Sequence, residues 1–304
     1  MLFPSPVRWL VPLLLALLSL TTSPFALAEA RTTRVESSDG IMLAVQESGN
    51  PDGSPIIFIH GLLGSHLNWE KQLDDPALQE HRLITYDLRG HGLSSKPSEE
   101  NAHADGRRWA DDLDAVIQAV EVRNPVLVGW SLGGAVLSNY LAAYGDGDIA
   151  GAVYVDGVVE LSPDLITPHP DVYPDMVSSD LKTQLDGESA FLRLCFHQQP
   201  DTPTFERLVA NAALASLAMQ HAVMSMTIPA EEGIGSASVP LLFLYGGRDA
   251  LIDPSATIER ARQFNPEIER TIYADSGHAP FLEEPARFNR DLLAFAARLE
   301  SERR

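Results

Sequence analysis

Beyond its first thirty residues the chain alternates short, continuous apolar runs with stretches whose apolar residues recur every three or four positions. The continuous runs fall at 55–60, 82–87, 125–130, 149–156, 240–246 and 271–274. A strand covered on both faces loses polar alternation and reads as unbroken Val, Ile and Leu, so these runs predict buried strands. Trp109, Leu113, Val116 and Val120 are spaced by four, three and four positions, and Phe288, Leu292, Phe295 and Leu299 repeat that spacing. Such spacing lays one apolar stripe along a helix. Before the first run, Ile41, Leu43 and Val45 alternate with less apolar neighbours after Asp39-Gly40, which predicts a hairpin. Buried strands alternating with helices predict an α/β fold, a mostly parallel central sheet with helices on both faces.

The rhythm breaks between residues 157 and 238, where no such run occurs. Pro-rich turns occupy 161–174 and helical spacing returns at 205–226. A structureless loop of that length is implausible within one domain, so the segment predicts a mostly helical cap inserted over one end of the sheet. The first thirty residues follow a different logic. Arg8 precedes an apolar run from Trp9 to Leu20, followed by Pro24 and the small-residue pattern Ala26-Leu27-Ala28. This layout predicts a secretory signal at 1–28, cleaved after Ala28 or alternatively Ala30, and a single domain at 29–304. Pro12 and Ser19 interrupt the run, and it falls short of the ~20 residues that span a bilayer. The expectation is an exported protein, periplasmic or extracellular, with no stable membrane span once the signal is removed.

Composition sharpens this picture in two respects. A formal net charge of -20 sets the average surface against phosphate backbones and anionic head groups, which argues against nucleic acid as a partner. Cys195 is the single cysteine, so the exported chain contains no internal disulfide and depends on its core. It sits among Phe191, Leu192, Leu194 and Phe196, a setting for a buried, inert thiol.

The chemistry concentrates in a few places. Gly129-Trp130-Ser131-Leu132-Gly133 matches G-x-S-x-G, a pattern that chance produces in roughly one such chain in ten. Its position between a predicted strand and a helical stretch at 135–144 is what makes it a nucleophile elbow, with Ser131 exposed at a sharp turn. A serine hydroxyl needs a base, and the base needs a group to hold its tautomer. His278, after the last apolar run and before the final helix, occupies the slot expected of that base in the order Ser, acid, His. Asp249, just past the run at 240–246, is the preferred acid; Asp156 and then Asp253 are its alternatives. The oxyanion formed on attack requires preorganised N–H donors. The backbone N–H of Leu132 and that of Leu62, in the loop after His60, are assigned to it. His60 itself reads as a structural hydrogen-bonder. No metal site is expected, because no histidines fall at a helical ligand spacing and one cysteine cannot build a zinc site. No cofactor is expected either, since no phosphate-binding G-x-G-x-x-G follows the first buried run.

The His60-Gly61 turn, Tyr86-Asp-Leu-Arg-Gly-His-Gly-Leu-Ser94, Gly129 to Gly134, Gly247-Arg-Asp249 and Gly277-His278 together resemble the α/β-hydrolase superfamily, particularly its esterase and cofactor-free haloperoxidase-like branch. The resemblance runs from about Val35 to Leu299. It implies that Asp87, Arg89 and Gly90 shape a loop rather than react, and that the insertion caps a pocket. Peracid-forming relatives carry a proline in the oxyanion loop where this chain has Leu62-Leu63, which weighs against perhydrolase activity. The expected function is hydrolysis of carboxylic esters of small soluble substrates through an acyl-enzyme, with carbon-carbon or amide cleavage on the same triad as the alternative. A non-catalytic binding protein on this scaffold is the reading from a different class. Phe191, Phe196, Phe205, Met219, Met224 and Met226 in the insertion suggest an apolar, adaptable pocket, or simply helix packing.

Overall fold

Apart from Met1, the computed structural model describes residues 31–303, so the expected signal segment otherwise lies outside the described residues. Eight strands form one sheet: β1 (Arg31–Glu36), β2 (Met42–Gly49), β3 (Pro55–Ile59), β4 (Arg82–Tyr86), β5 (Val126–Trp130), β6 (Gly151–Val155), β7 (Leu241–Gly246) and β8 (Glu269–Tyr273). Their order across the sheet is β1-β2-β4-β3-β5-β6-β7-β8. β2 runs antiparallel to β1 and to β4, while all pairs from β4 to β8 are parallel. β5 and β6 are buried at every residue, as their unbroken apolar sequence requires. β8 is an edge strand, and only Tyr273 of its five residues is buried. From β3 the order runs one way to β4 and the other way to β5. A switch point of this kind opens a crevice at the carboxyl ends of the strands.

The helix Gly106–Ala119 starts where the Asp105 side chain accepts from the Arg107 N–H, and it buries Trp109, Leu113 and Val116. The terminal helix Pro285–Glu302 buries Phe288, Leu292, Phe295 and Leu299, the stripe anticipated from their spacing. Trp69 joins the layers, with its ring centroid 4.5 Å from that of Phe281 and 5.0 Å from that of Phe58. Between β6 and β7 the chain forms helices Leu181–Leu194, Thr202–Ala212 and Leu217–Val223 and shorter helices around them. The first of these carried no readable stripe, because Leu181 and Leu185 face solvent while its buried side includes Gly187 and Glu188.

The polar interior is built from fixed pairs. Arg89 and Asp112, both fully buried, meet through two bonds of 2.7 and 2.6 Å, and Arg89 also reaches Asp39 and the Ala102 carbonyl. Removing one partner would strand a buried charge at a cost of about 3–5 kcal/mol. Asp87 accepts from the His66 and Leu93 backbone N–H groups, holding the loop after β4. His60 accepts the Leu88 N–H on Nε2, so its proton is on Nδ1 and is donated to the Gly61 carbonyl.

Burial, with a smaller contribution from the neighbouring His66, depresses His60 to about 4 against the opposing charge of Asp87; burial and His60 likewise push His91 well below its ordinary value. The unfolded chain takes up a proton near pH ~6.5 whereas folded His60 does not, so acid favours unfolding through this residue from there down to its folded value. Its contribution is isolated by comparing wild type with His60→Gln in equilibrium denaturation. Between pH 7 and pH 5 the gap is expected to move by about 2 kcal/mol in the variant's favour. A gap independent of pH would contradict the neutral, buried imidazole.

Candidate active site

β5 ends at Trp130, and the chain turns at Ser131 directly into the helix Leu132–Tyr144, which begins three residues earlier than its apolar spacing suggests. Ser131 holds φ 53° and ψ -115°, a conformation rare for a residue with a side chain. Two glycines make the turn possible. A Cβ on Gly129 would lie 2.5 Å from the Gly133 carbonyl oxygen, and a Cβ on Gly133 would lie 2.5 Å from that of Ile59. The Ser131 N–H donates to the Val155 carbonyl at 3.0 Å, and its own carbonyl accepts from Gly134 and Val158 at 2.9 Å. Ser131 is thereby pinned to β6 and carried above the sheet, at the amino end of a helix whose dipole favours negative charge.

His278 follows β8 in a loop tied at several points. Trp130 donates its indole N–H to the His278 carbonyl at 2.7 Å, Gly277 N–H donates to Glu283 at 2.8 Å, and Ser276 donates to Glu284 at 2.6 Å. The ring donates Nδ1–H to Asp249 Oδ2 at 2.7 Å, with both side chains almost fully buried. Asp249 Oδ1 is occupied by the N–H groups of Leu251 and Ile252 at 2.7 and 3.2 Å. With Nδ1 engaged, Nε2 is the basic nitrogen, and it has no hydrogen-bond partner among the described residues.

Ser131, His278, Leu62 and Leu132 line a single cavity of about 290 Å³. The N–H groups of Leu62 and Leu132 have no acceptor among the described residues. The Leu62 loop is held by His60 beneath it and by Asn211 of the insertion, which donates to the Leu63 carbonyl at 3.2 Å. Of the two alternative acids, Asp253 caps the helix Pro254–Phe264 by accepting the Ala256 N–H, and takes no part in the site. Asp156 lies behind Asp249: one oxygen accepts the Gly246 N–H at 2.8 Å, and its side chain does not bond to His278.

The far wall of the cavity belongs to the insertion and is mainly apolar, with Leu161, Tyr173, Met176, Phe191, Met224 and Met226. The sequence singled out Phe191, Met224 and Met226 among these. Phe196 and Met219 pack into the core instead, and Phe205 lies under the Arg193 guanidinium. Gln220, which also lines the cavity, donates to the buried Glu188 at 2.8 Å. Cys195 is buried and burial pushes its thiol upward, in keeping with an inert residue. Sequence reasoning missed the anchoring by Trp130 and Glu283, because a variable position within G-x-S-x-G and an acid in a helix first turn carry no motif of their own.

An imidazole oriented by a carboxylate, a serine at a strained elbow and two unengaged N–H groups can together activate a hydroxyl and stabilise an oxyanion. The profile of the α/β-hydrolase fold family matches residues 54–285. This chain is a member of that family. Among solved structures it is similar to a protein of Burkholderia cenocepacia assigned as an aryl esterase, at 66% identity with a TM-score of 0.89, covering 89% of this chain and 100% of that one. The esterase RhEst1 of a Rhodococcus species is 28% identical with a TM-score of 0.81, covering 88% and 99%. A bifunctional esterase/perhydrolase of Acinetobacter calcoaceticus is 27% identical over 278 residues, 86% of this chain and 98% of its own length.

Proposed function

We propose that this protein is a serine hydrolase that cleaves carboxylic esters of small soluble substrates through an acyl-enzyme. The observation that carries the reading is the buried His278–Asp249 pair, whose Nε2 is unengaged and whose imidazole lines the same cavity as Ser131. In this mechanism Nε2 takes the Ser131 proton as Oγ attacks the ester carbonyl, and the Leu62 and Leu132 N–H groups receive the developing oxyanion. The imidazolium then protonates the leaving alcohol, and water repeats the sequence on the acyl-enzyme. Asp249 is the acid of the triad, because it is the carboxylate bonded to Nδ1. The insertion acts as a cap whose apolar wall sets the acyl or aryl group, and the likeness to an assigned aryl esterase supports small aromatic esters among the substrates.

Ser131→Ala and His278→Ala are each expected to lower kcat by roughly 10⁴–10⁶-fold, the double variant being hardly worse because the pair acts as a unit. Asp249→Asn is expected to cost up to ~10⁴-fold, since an amide can hold the wrong tautomer. Turnover of short-chain and phenyl esters measures both, and fluorophosphonate labelling should follow Ser131. Near-normal turnover by purified Ser131→Ala would remove the central claim.

The likeness to an esterase/perhydrolase favours a second reading, in which peroxide rather than water resolves the acyl-enzyme. Leu62 and Leu63 are non-proline residues, and Leu63 holds φ 60°, which a proline could not adopt. Wild type is therefore expected to hydrolyse an ester faster than it perhydrolyses it. Leu62→Pro, which removes one donor, should reduce hydrolysis by ~10²–10³-fold. A wild-type enzyme faster with peroxide than with water would overturn the choice. Export is proposed from the layout of residues 1–28; no helix among the described residues is long and apolar enough to cross a membrane. The mass of the protein recovered outside the cytoplasm is expected to begin at Glu29, and retention of the intact chain inside the cell would contradict export.

A further inference from the structure

Asp156 is a second carboxyl behind the site, and the mechanism above gives it no role. It closes β6 with φ 40°, a left-handed conformation that costs free energy in a residue with a Cβ. Its side chain is completely buried. Oδ1 accepts the Gly246 N–H at 2.8 Å, and Oδ2 has no conventional donor. An oxygen of Asp156, an oxygen of Asp249 and a ring nitrogen of His278 all lie within 4.8 Å of one another. The unpartnered Asp156 Oδ2 thus belongs to a carboxyl set close beside that of Asp249, and two carboxyls can share a hydrogen bond only when one of them carries the proton.

The choice between them follows from their partners. Asp249 accepts two backbone N–H groups on Oδ1 and the imidazole N–H on Oδ2, so both of its oxygens are already engaged as acceptors. Asp156 accepts one N–H, and neither carboxyl forms an ion pair with a lysine or arginine among the described residues. The other ionisable groups near Asp156 are Glu283, the Tyr245 phenol and the Cys195 thiol, none of which supplies positive charge. Tyr245 spends its proton on the Gly157 carbonyl at 2.6 Å.

We propose that Asp156 is a positioning residue that holds a proton at neutral pH and donates it to the Asp249 carboxylate, so that the two acids behind His278 carry one negative charge between them. Burial first, and the charge of Asp249 second, push the Asp156 carboxyl well above its ordinary range, in the direction this arrangement needs. The donated bond would fix the rotation of Asp249 about the axis that presents Oδ2 to the imidazole. It also spares the site a second buried charge, which would draw a proton onto the base. Asp156 would thereby link the carboxyl ends of β6 and β7, accepting from Gly246 with one oxygen and donating to Asp249 with the other.

This inference rests on the triad reading given above, and the test separates the two. Asparagine can reproduce both bonds, its carbonyl accepting from Gly246 and its amide donating to Asp249, without any charge. Asp156→Asn is expected to keep kcat within about threefold of wild type, and Asp156→Ala to lose about 10- to 100-fold in kcat with KM little changed. Infrared difference spectra of wild type against Asp156→Asn at pH 7 should show the carbonyl stretch of one protonated carboxylic acid in the wild type only. That band needs no turnover, so it stands or falls independently of Ser131, whose own role is read by fluorophosphonate labelling. Absence of the band overturns the proposal, as does a folded Asp156→Asn as impaired as Asp156→Ala, or an Asp156→Ala with wild-type kcat. Should Asp156→Ala fail to fold, the band and the Asp156→Asn kinetics still decide.

Discussion

The turn at Ser131 is the constraint on which the rest of the molecule depends. A residue at φ 53° between a strand and a helix costs of order 1–3 kcal/mol, and it persists only where its surroundings leave no alternative. Here the surroundings are the ends of two neighbouring strands. β6 accepts the Ser131 N–H through Val155, and the helix leaving the turn approaches the end of β3 so closely that Gly133 has no room for a Cβ against Ile59. The loop after β3, which carries Leu62, therefore sits beside the serine by construction. A sheet with any other neighbour for β5 would separate the hydroxyl from that loop.

Charge is handled differently inside and outside. The chain carries a large excess of acid, yet the acids that are buried near function each have a defined partner. Asp112 is matched by the Arg89 fork, Asp87 by backbone N–H groups and His66, and Asp249 by His278 and two N–H groups. Buried charge without such partners is prohibitively expensive, and for that reason His60 and His91 remain neutral and serve as hydrogen-bonding struts. The loop after β4 is thus a rigid frame around Arg89 and Asp87, and its motif-like sequence reflects packing rather than reactivity.

The insertion between β6 and β7 obeys looser rules. Its walls are apolar and include three methionines, side chains that adapt to irregular shapes, while Gln220 and Glu188 form a polar bond within it. One contact of consequence ties it to the loop after β3, the bond from Asn211 to the Leu63 carbonyl. The segment that forms the far wall of the cavity is therefore mechanically joined to the loop that carries Leu62.

How much of this was legible in the linear chain depends on the range of the interaction. Continuous apolar runs and the four-three-four stripes named the strands and the two flanking helices, because burial on both faces or along one stripe is written in local composition. Ser131, Asp249 and His278 stood out as candidates because strand ends carry short-range turn chemistry in a set order, and the structure brings His278 and Asp249 into contact and Ser131 into the same cavity. The helix at 181–194 escaped notice since its buried side holds a glycine and a glutamate, residues whose burial only a neighbouring element can justify. Which acid bonds the histidine, and that Asp156 stands behind it, were decided in three dimensions. β6 and β7 end side by side in the sheet, and no spacing along the chain records which strand ends become neighbours.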